Sequence, residues 1–500
     1  MTDTAGTLPE ELGLETIQAF EGKYPRQLWW LFFSEMWERF SFYGMRGVLT
    51  FFMVHELLMK EDTANLQYGA TQAFVYAFTF VGGLFADKIL GFRRSLFWGG
   101  SLMVIGSLIL SIDPKQFFFI GIAFNIVGTG FFKPNISTMV GSLYKEGDDR
   151  CDAGFSLFYS GINIGALLGG YACVAIGKSY SWNLAFGLTA VVMTISVVTF
   201  AYSQRYLGPI GRSPLAAVPA PKRRWREWGT YAGSLVIIPV LVKMVSKTDL
   251  TDRFMYTIGP LTLVYLAWEL RKFNREERKK LLAAMVFILF SIVFWAFFEQ
   301  SGGSLSLFAA NNLRDTLVGV HVDPNGVNNS ANSLFVIAFS PLVGMVWVAL
   351  ARRRLEPNTV VKFGLGFLFL SGAFFILYAT RFFANAEGIT SLEVFTSAQL
   401  VMTFGELCLS PIGLSIMTKL SPKPLQGVMM GMWFLASAYG QYVAGLLGAG
   451  MTSPAEKATA LDKLMSYTNG YRQLGIYALV AAVLMLAISR LVRRMMGDVK

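Results

Sequence analysis

The sequence predicts an all-α membrane protein with fourteen transmembrane helices, laid out as six, an inserted pair and six more. Three observations predict it. Apolar residues make up 54% of the 500-residue chain, and charged residues only 15%, against about a quarter charged in ordinary soluble domains. That apolar content suffices for roughly twelve spans of ~20 residues. The basic residues gather in alternate loops, as they do on the cytoplasmic side of membrane proteins. A soluble enzyme, a disordered chain, a coiled coil and a disulfide scaffold are all excluded. The net charge of +11 reflects basic loops facing an anionic leaflet rather than nucleic acid. Three cysteines and two histidines are too few for a disulfide framework or a metal centre, so no metal and no cofactor are expected. The polar, acidic start, with Glu10, Glu11 and Glu15, lacks the features of a cleavable signal peptide.

Apolar runs long enough to span lie at 28–54, 67–86, 95–112, 117–143, 154–177 and 182–203. Two more lie at 228–246 and 254–270, between basic stretches. The last six occupy 281–310, 332–350, 361–380, 394–420, 425–450 and 471–492. The expected division is a segment 1–26, a six-helix bundle 27–203, basic linkers with the inserted pair 204–280, a second bundle 281–493 and a tail 494–500. Pro209, Pro214, Pro219 and Pro221 mark the first linker. An even count places both termini on one side. Lys88, Arg93 and Arg94, the linkers around the inserted pair, Arg352, Arg353, Arg354 and Lys362, and the tail's Arg490, Arg493, Arg494 and Lys500 share that side. The opposite loops are sparse, with Lys60 offset by Glu61 and Asp62, and Lys115 by Asp113. Both termini are therefore expected in the cytoplasm.

A charge at mid-bilayer costs at least ~2.5–3.5 kcal/mol and usually faces a water-filled path. In the first span Glu35, Glu38, Arg39, Phe42 and Arg46 are spaced by three or four and share one helical face. Glu35 can pair with Arg39 at i+4. A static salt-bridge cluster competes with a functional one. In the fourth span Lys133 precedes the helix-bending Pro134; it either faces an acid or snorkels to the headgroups. Glu299 in the seventh span and Glu406 in the tenth are single acids in apolar helices. Burial disfavours their charged form and makes Glu299 a proton carrier, with a structural Glu–Arg pair as the alternative. Pro411 and Gly413 loosen the helix after Glu406. Asn163 and Asn332 serve either a site or helix packing, and Trp433 either lines a pocket or packs. Cations on one half and an anion on the other suit a zwitterion such as an amino acid or peptide. No nucleophile–base pair or nucleotide loop suggests an enzyme, so no catalytic residue is assigned.

Glu35-x-x-Glu38-Arg39-Phe40-x-Phe42-Tyr43-Gly44 resembles the ExxERFxYYG motif of the proton-dependent oligopeptide transporter family, within the major facilitator superfamily. Phe158-Tyr-x-x-Ile162-Asn163-x-Gly165 is similar to its FYxxINxG signature, and Gly83-x-x-x-Asp87-x-x-x-Gly91-x-Arg93-Arg94 to the superfamily loop motif. The segments at Lys133, Glu299, Glu406 and Trp433 fit as well, so the resemblance covers nearly the whole chain. It implies a major facilitator fold in a bacterial inner membrane. It also implies symport of dipeptides and tripeptides with protons by alternating access, driven by the proton gradient, with a central site between the bundles. Carried across, Arg46 and Lys133 would bind the peptide carboxylate, and Asn163, Asn332 and Glu406 its amino end. Tyr43 and Tyr76 would contact its backbone or side chains, and Trp433 would line the pocket. Glu35, Glu38, Arg39 and Glu299 would couple protons, with Glu299 pairing to Arg46 and Lys133 to Glu406. Asp87, Arg93 and Arg94 would control a cytoplasmic loop. Two departures stand out. Phe42 replaces a family tyrosine, and residues 67–86 contain no histidine, so coupling must rest on carboxylates.

Overall fold

The computed structural model describes residues 13–409, 413–422, 425–452 and 458–497. Apart from one hairpin of two short antiparallel strands, β1 (Thr316–Leu317) and β2 (Val320–His321), the named elements are helical. Among the described residues, ten helices are long and apolar enough to cross a membrane. Four more helices exceed eighteen residues but carry more polar groups: Arg26–His55, Phe118–Gly141, Thr248–Leu270 and Gln426–Gly450.

The chain divides into two compact units. The first holds residues up to Arg46 and Phe74–Lys243. It contains α1 (Leu14–Gln18), most of α2 (Arg26–His55) and the end of α3 (Glu61–Phe85). It continues with α4 (Phe92–Ile112), α5 (Phe118–Gly141), α6 (Arg150–Ser179), α7 (Trp182–Ser203) and α8 (Ala220–Ser246). In hydrocarbon there is no hydrophobic drive between helices, so small residues that admit close packing hold them together. Gly161, Gly165 and Gly169 form one ridge of α6 against α2. A Cβ at Gly165 would stand 2.1 Å from the Met36 carbonyl, and one at Gly169 2.1 Å from that of Phe40. The ridge therefore presses the charged face of α2 into the unit. On α4, Trp98 Nε1 donates to Ser234 Oγ at 2.9 Å and Arg94 pairs with Glu227, which docks α8.

The second unit comprises Gly47–Ala73 and Met244 onward. It adds α9 (Thr248–Leu270), α10 (Arg275–Phe298), α11 (Ser304–Asn312), α12 (Pro324–Arg352) and α13 (Thr359–Ala379). It ends with α14 (Leu392–Leu409), α15 (Gly413–Leu420), α16 (Gln426–Gly450) and α17 (Ala460–Met496). Phe287, Phe294, Phe363, Phe367, Phe374, Tyr467 and Tyr471 build its core. The end of α2 and the start of α3 pack within this unit, where Gly69 meets Gly445 of α16 so closely that a Cβ would lie 2.7 Å from the Gly445 Cα. Tyr442 donates to Asp252 at 2.6 Å and Tyr439 to the Met255 carbonyl, which docks α9 on α16. Of the inserted pair, α8 is thus seated on one unit and α9 on the other.

Two expected spans differ in detail. The run 281–310 is two helices, because α10 stops at Phe298 and Gly302 and Gly303 interrupt the path to α11. Within the run 394–420 the described residues form α14 and α15, and Pro411, expected to loosen it, lies outside the described residues. Helix α12 begins eight residues before Asn332: Asp323 caps it by accepting from the Asn325 and Gly326 amides, with Pro324 at the first turn. Hydropathy hides this start because the first turns of α12 are rich in asparagine.

Candidate functional site

Two polar groups stand out, one in each unit. In the first, α2 places Glu35, Glu38 and Arg39 on one buried face, each no more than 2% exposed. Arg39 Nε lies 2.9 Å from Glu35 Oε1 and 2.5 Å from Glu38 Oε2. The expected i+4 pair is present, but one nitrogen serves two carboxylates. Both Glu38 oxygens, Glu35 Oε2 and Arg39 Nη2 lack an aligned hydrogen bond. Buried polar groups are normally satisfied, so this cluster is held by charge more than by geometry. Lys133 of α5 acts electrostatically on both carboxylates and sits 4.2 Å from the centre of the Tyr76 ring. Two acids and two bases therefore meet in one place. Arg46 lies over Tyr43 at 5.7 Å, and Arg39 over Phe42 at 5.4 Å, so the ring that replaces the family tyrosine still contacts the cluster. Asn163 Nδ2 bonds one turn back to the Tyr159 carbonyl at 3.0 Å, within its own helix and not across to another.

In the second unit, Asn332 Nδ2 of α12 donates to Glu406 Oε2 of α14 at 2.9 Å and contacts Thr403 Oγ1 at 3.1 Å. Glu299, buried at the end of α10, acts electrostatically on Glu406. The two lone acids of the sequence thus lie within electrostatic reach of each other. Trp433 of α16 is partly buried against the core of this unit. Sequence reasoning missed the rest of the α12–α14 seam. Gln399 Nε2 donates to Asn328 Oδ1 at 3.0 Å, and Asn328 Nδ2 to the Ser301 carbonyl at 2.7 Å. The signal was available: Asn325, Asn328 and Asn332 follow helical spacing, as do Gln399, Thr403 and Glu406.

Of the residues expected to control a cytoplasmic loop, Asp87 is exposed and forms no ion pair with Arg93 or Arg94 among the described residues. Arg93 instead donates to the carbonyls of Ile210 and Gly208, both at 2.6 Å, and of Gln204 at 3.3 Å. Arg94 pairs with Glu227. The carbonyls after α7 and the acid on α8 are nearer partners than a carboxylate on the preceding turn, so the two arginines anchor the linker.

One correction concerns Glu61, expected to be a loop acid. Its Oε1 accepts from Lys463 Nζ at 2.6 Å and Asn311 Nδ2 at 3.2 Å, and its Oε2 from the Tyr467 hydroxyl at 2.6 Å. It ties the start of α3 to α11 and α17.

The chain matches the POT family over residues 93–464. It is 32% identical to the peptide transporter YePEPT of Yersinia enterocolitica, over 95% of this chain and 96% of that one. It is 31% identical to a di-/tripeptide transporter of Lactococcus lactis, over 97% of this chain and 99% of that one. Among solved structures, it is similar to a peptide transporter POT in complex with sulfate, with a TM-score of 0.84, 30% identity and coverage of 98% and 100% of the two chains. It is also similar to a POT family transporter in complex with 5-aminolevulinic acid, with a TM-score of 0.81, 29% identity and coverage of 95% and 98%. The fold is that of the major facilitator superfamily, and the chain belongs to the POT family of multi-pass membrane transporters, which are carriers and not enzymes.

Proposed function

We propose that this protein carries dipeptides and tripeptides into a bacterial cell together with protons, by alternating access across the inner membrane, with both termini in the cytoplasm. The observation that carries the reading is the segregation of charge: Arg46 and Lys133 in one unit, the Asn332–Glu406 pair beside Glu299 in the other. A zwitterion of peptide length needs a cationic partner for its carboxylate and an acidic one for its ammonium. Each ionic partner must be released during transport, so hydrated, moderate interactions serve better than strong ones.

Arg46 and Lys133 receive the carboxylate, and Asn163, Asn332 and Glu406 the amino end. Tyr43, Tyr76 and Trp433 frame the chain of the peptide. A proton on Glu299 frees Arg46, and deprotonation on the inside restores the pair. Glu35, Glu38 and Arg39 take part in the same coupling. No cofactor enters; the proton gradient is the only energy source. The relative that binds 5-aminolevulinic acid fits the same chemistry, since that molecule also carries an amine and a carboxylate.

The test is dialanine uptake into proteoliposomes holding the purified protein, with an inward proton gradient and with the gradient collapsed. Accumulation only with the gradient supports the reading. Absence of uptake in both conditions, from folded protein, rejects the substrate. Glu299→Gln is expected to abolish gradient-driven uptake while peptide-for-peptide exchange persists. Loss of both, with binding intact, removes Glu299 from the coupling role.

A further inference from the structure

A cavity of about 470 Å³ opens where α12 ends, α13 begins and α17 finishes. Arg354, Lys362 and Arg493 line it, together with Asn358 and Thr359 at the start of α13. The one acid in its wall, Glu356, is already taken by Lys362, whose Nζ lies 2.5 Å away. Arg352, Arg353, Arg490 and Arg494 follow closely in sequence, so the neighbourhood is strongly cationic. The 21-residue α13 adds the positive end of its dipole, and the Asn358 side chain has capped only the Val361 amide.

A second observation singles out Arg354. Helix α12 ends in a Schellman turn: the Leu355 amide reaches back to Leu350 O and the Arg354 amide to Ala351 O, both at 2.9 Å. Arg354 occupies the left-handed position of that turn, with φ +57°. Glycine normally fills this position, because a Cβ is crowded there. An arginine held in an unfavourable conformation beside a cationic cavity points to a task for its side chain.

The flank of the cavity says what fills it. Met345, Val346, Val348 and Leu355 are exposed apolar side chains on α12 and the residue after its turn. Lys362 also lies 4.8 Å from the Trp347 ring centre, an aromatic of the kind that marks the headgroup level. A cationic hollow at the end of membrane helices, continuous with an apolar lipid-facing surface, fits an anion that carries acyl chains. The geometry points to a binding site for one anionic phospholipid, whose phosphodiester sits between Arg354, Lys362 and Arg493 while its chains lie along α12. Basic pockets of this kind between membrane helices bind anionic headgroups.

The inference does not depend on what the protein carries, so its failure and the failure of the transport reading are separable. The test uses full-length protein in neutral detergent, titrated with phosphatidylglycerol, phosphatidylcholine or inorganic phosphate, and bound lipid is counted by native mass spectrometry. The wild type is expected to retain one phosphatidylglycerol where phosphatidylcholine is lost. R354Q/R493Q should weaken that retention about thirtyfold, since each basic group near an anionic lipid contributes roughly a factor of five. K222Q/R224Q, with the same loss of charge on α8, should change it less than twofold. R354G separates site from scaffold: it relieves the left-handed strain and should raise the thermal midpoint, yet it should still weaken lipid retention about fivefold. Equal retention in R354Q/R493Q and wild type overturns the site. So does equal binding of the two lipids, or full displacement of phosphatidylglycerol by inorganic phosphate at millimolar concentration.

Discussion

The protein holds two ionic clusters of balanced charge and opposite construction. Glu35, Glu38, Arg39 and Lys133 are crowded into the first unit, with most of the carboxylate oxygens lacking an aligned hydrogen bond. Glu61, Lys463, Tyr467 and Asn311 form the second cluster, in the other unit, and each oxygen of Glu61 has a donor. The first is sealed, whereas Lys463 keeps 25% of its side-chain surface and Glu61 13%. Each cluster pairs as many acids as bases, so net charge does not distinguish the two; hydrogen-bond satisfaction does. The first leaves buried polar atoms without an aligned partner, whereas the second has used its directional bonds to hold α3 against α11 and α17.

The contrast breaks most visibly at Arg39. Arg39→Ala removes the cation that two buried carboxylates share, and deleting one partner of a buried ion pair costs about 3–5 kcal/mol because the remaining charge is stranded. The expected outcome is a large drop in thermal midpoint in detergent, or failure to purify. Glu35→Gln combined with Arg39→Ala should recover much of that loss, since it removes one of the stranded charges. A small effect of Arg39→Ala alone would mean that water reaches the cluster and that it is not sealed.

The next largest effect belongs to Glu61→Ala. It leaves the Tyr467 hydroxyl without an acceptor in a residue that is fully buried. An orphaned buried donor costs about 1–3 kcal/mol. Glu61→Ala with Tyr467→Phe should therefore be less destabilised than Glu61→Ala alone, measured by the same melting experiment. If both fall equally, the hydroxyl finds another acceptor and the cluster is less closed than its distances say.

The sequence made one cluster legible and hid the other. Glu35, Glu38 and Arg39 stand in adjacent turns of one apolar helix, so spacing alone placed them on one face and named the Glu35–Arg39 pair. Glu61 sits beside Lys60 and Asp62 in what hydropathy reads as a loop, and its partners lie 250 to 406 residues away. Only tertiary packing, through the Gly69–Gly445 contact, brings α3 near them. The same limit explains Arg93 and Arg94. A local motif groups them with Asp87, yet their bonding partners, the carbonyls of 204–210 and Glu227, are distant in sequence and close in space. The break after Phe298 was hidden for another reason. Apolar residues continue on both sides of it, and two glycines in a row do not lower hydropathy enough to register.

The smallest effect sharpens the comparison most. Lys463→Ala deletes a charge from the satisfied cluster, but Tyr467 and Asn311 still donate to Glu61 after the change. The carboxylate is also close enough to solvent to be hydrated in the space that the lysine leaves. Partly exposed ion pairs contribute about 0.2–1 kcal/mol, and salt screens them. Lys463→Ala is therefore expected to cost less than about 1 kcal/mol, and the gap between it and wild type should narrow between 50 mM and 1 M salt. The Arg39→Ala gap should not move over that range, because mobile ions do not reach a sealed pair. A salt-independent Lys463→Ala of several kcal/mol would place Glu61 in the same class as Glu38. The distinction drawn from hydrogen-bond satisfaction would then fail.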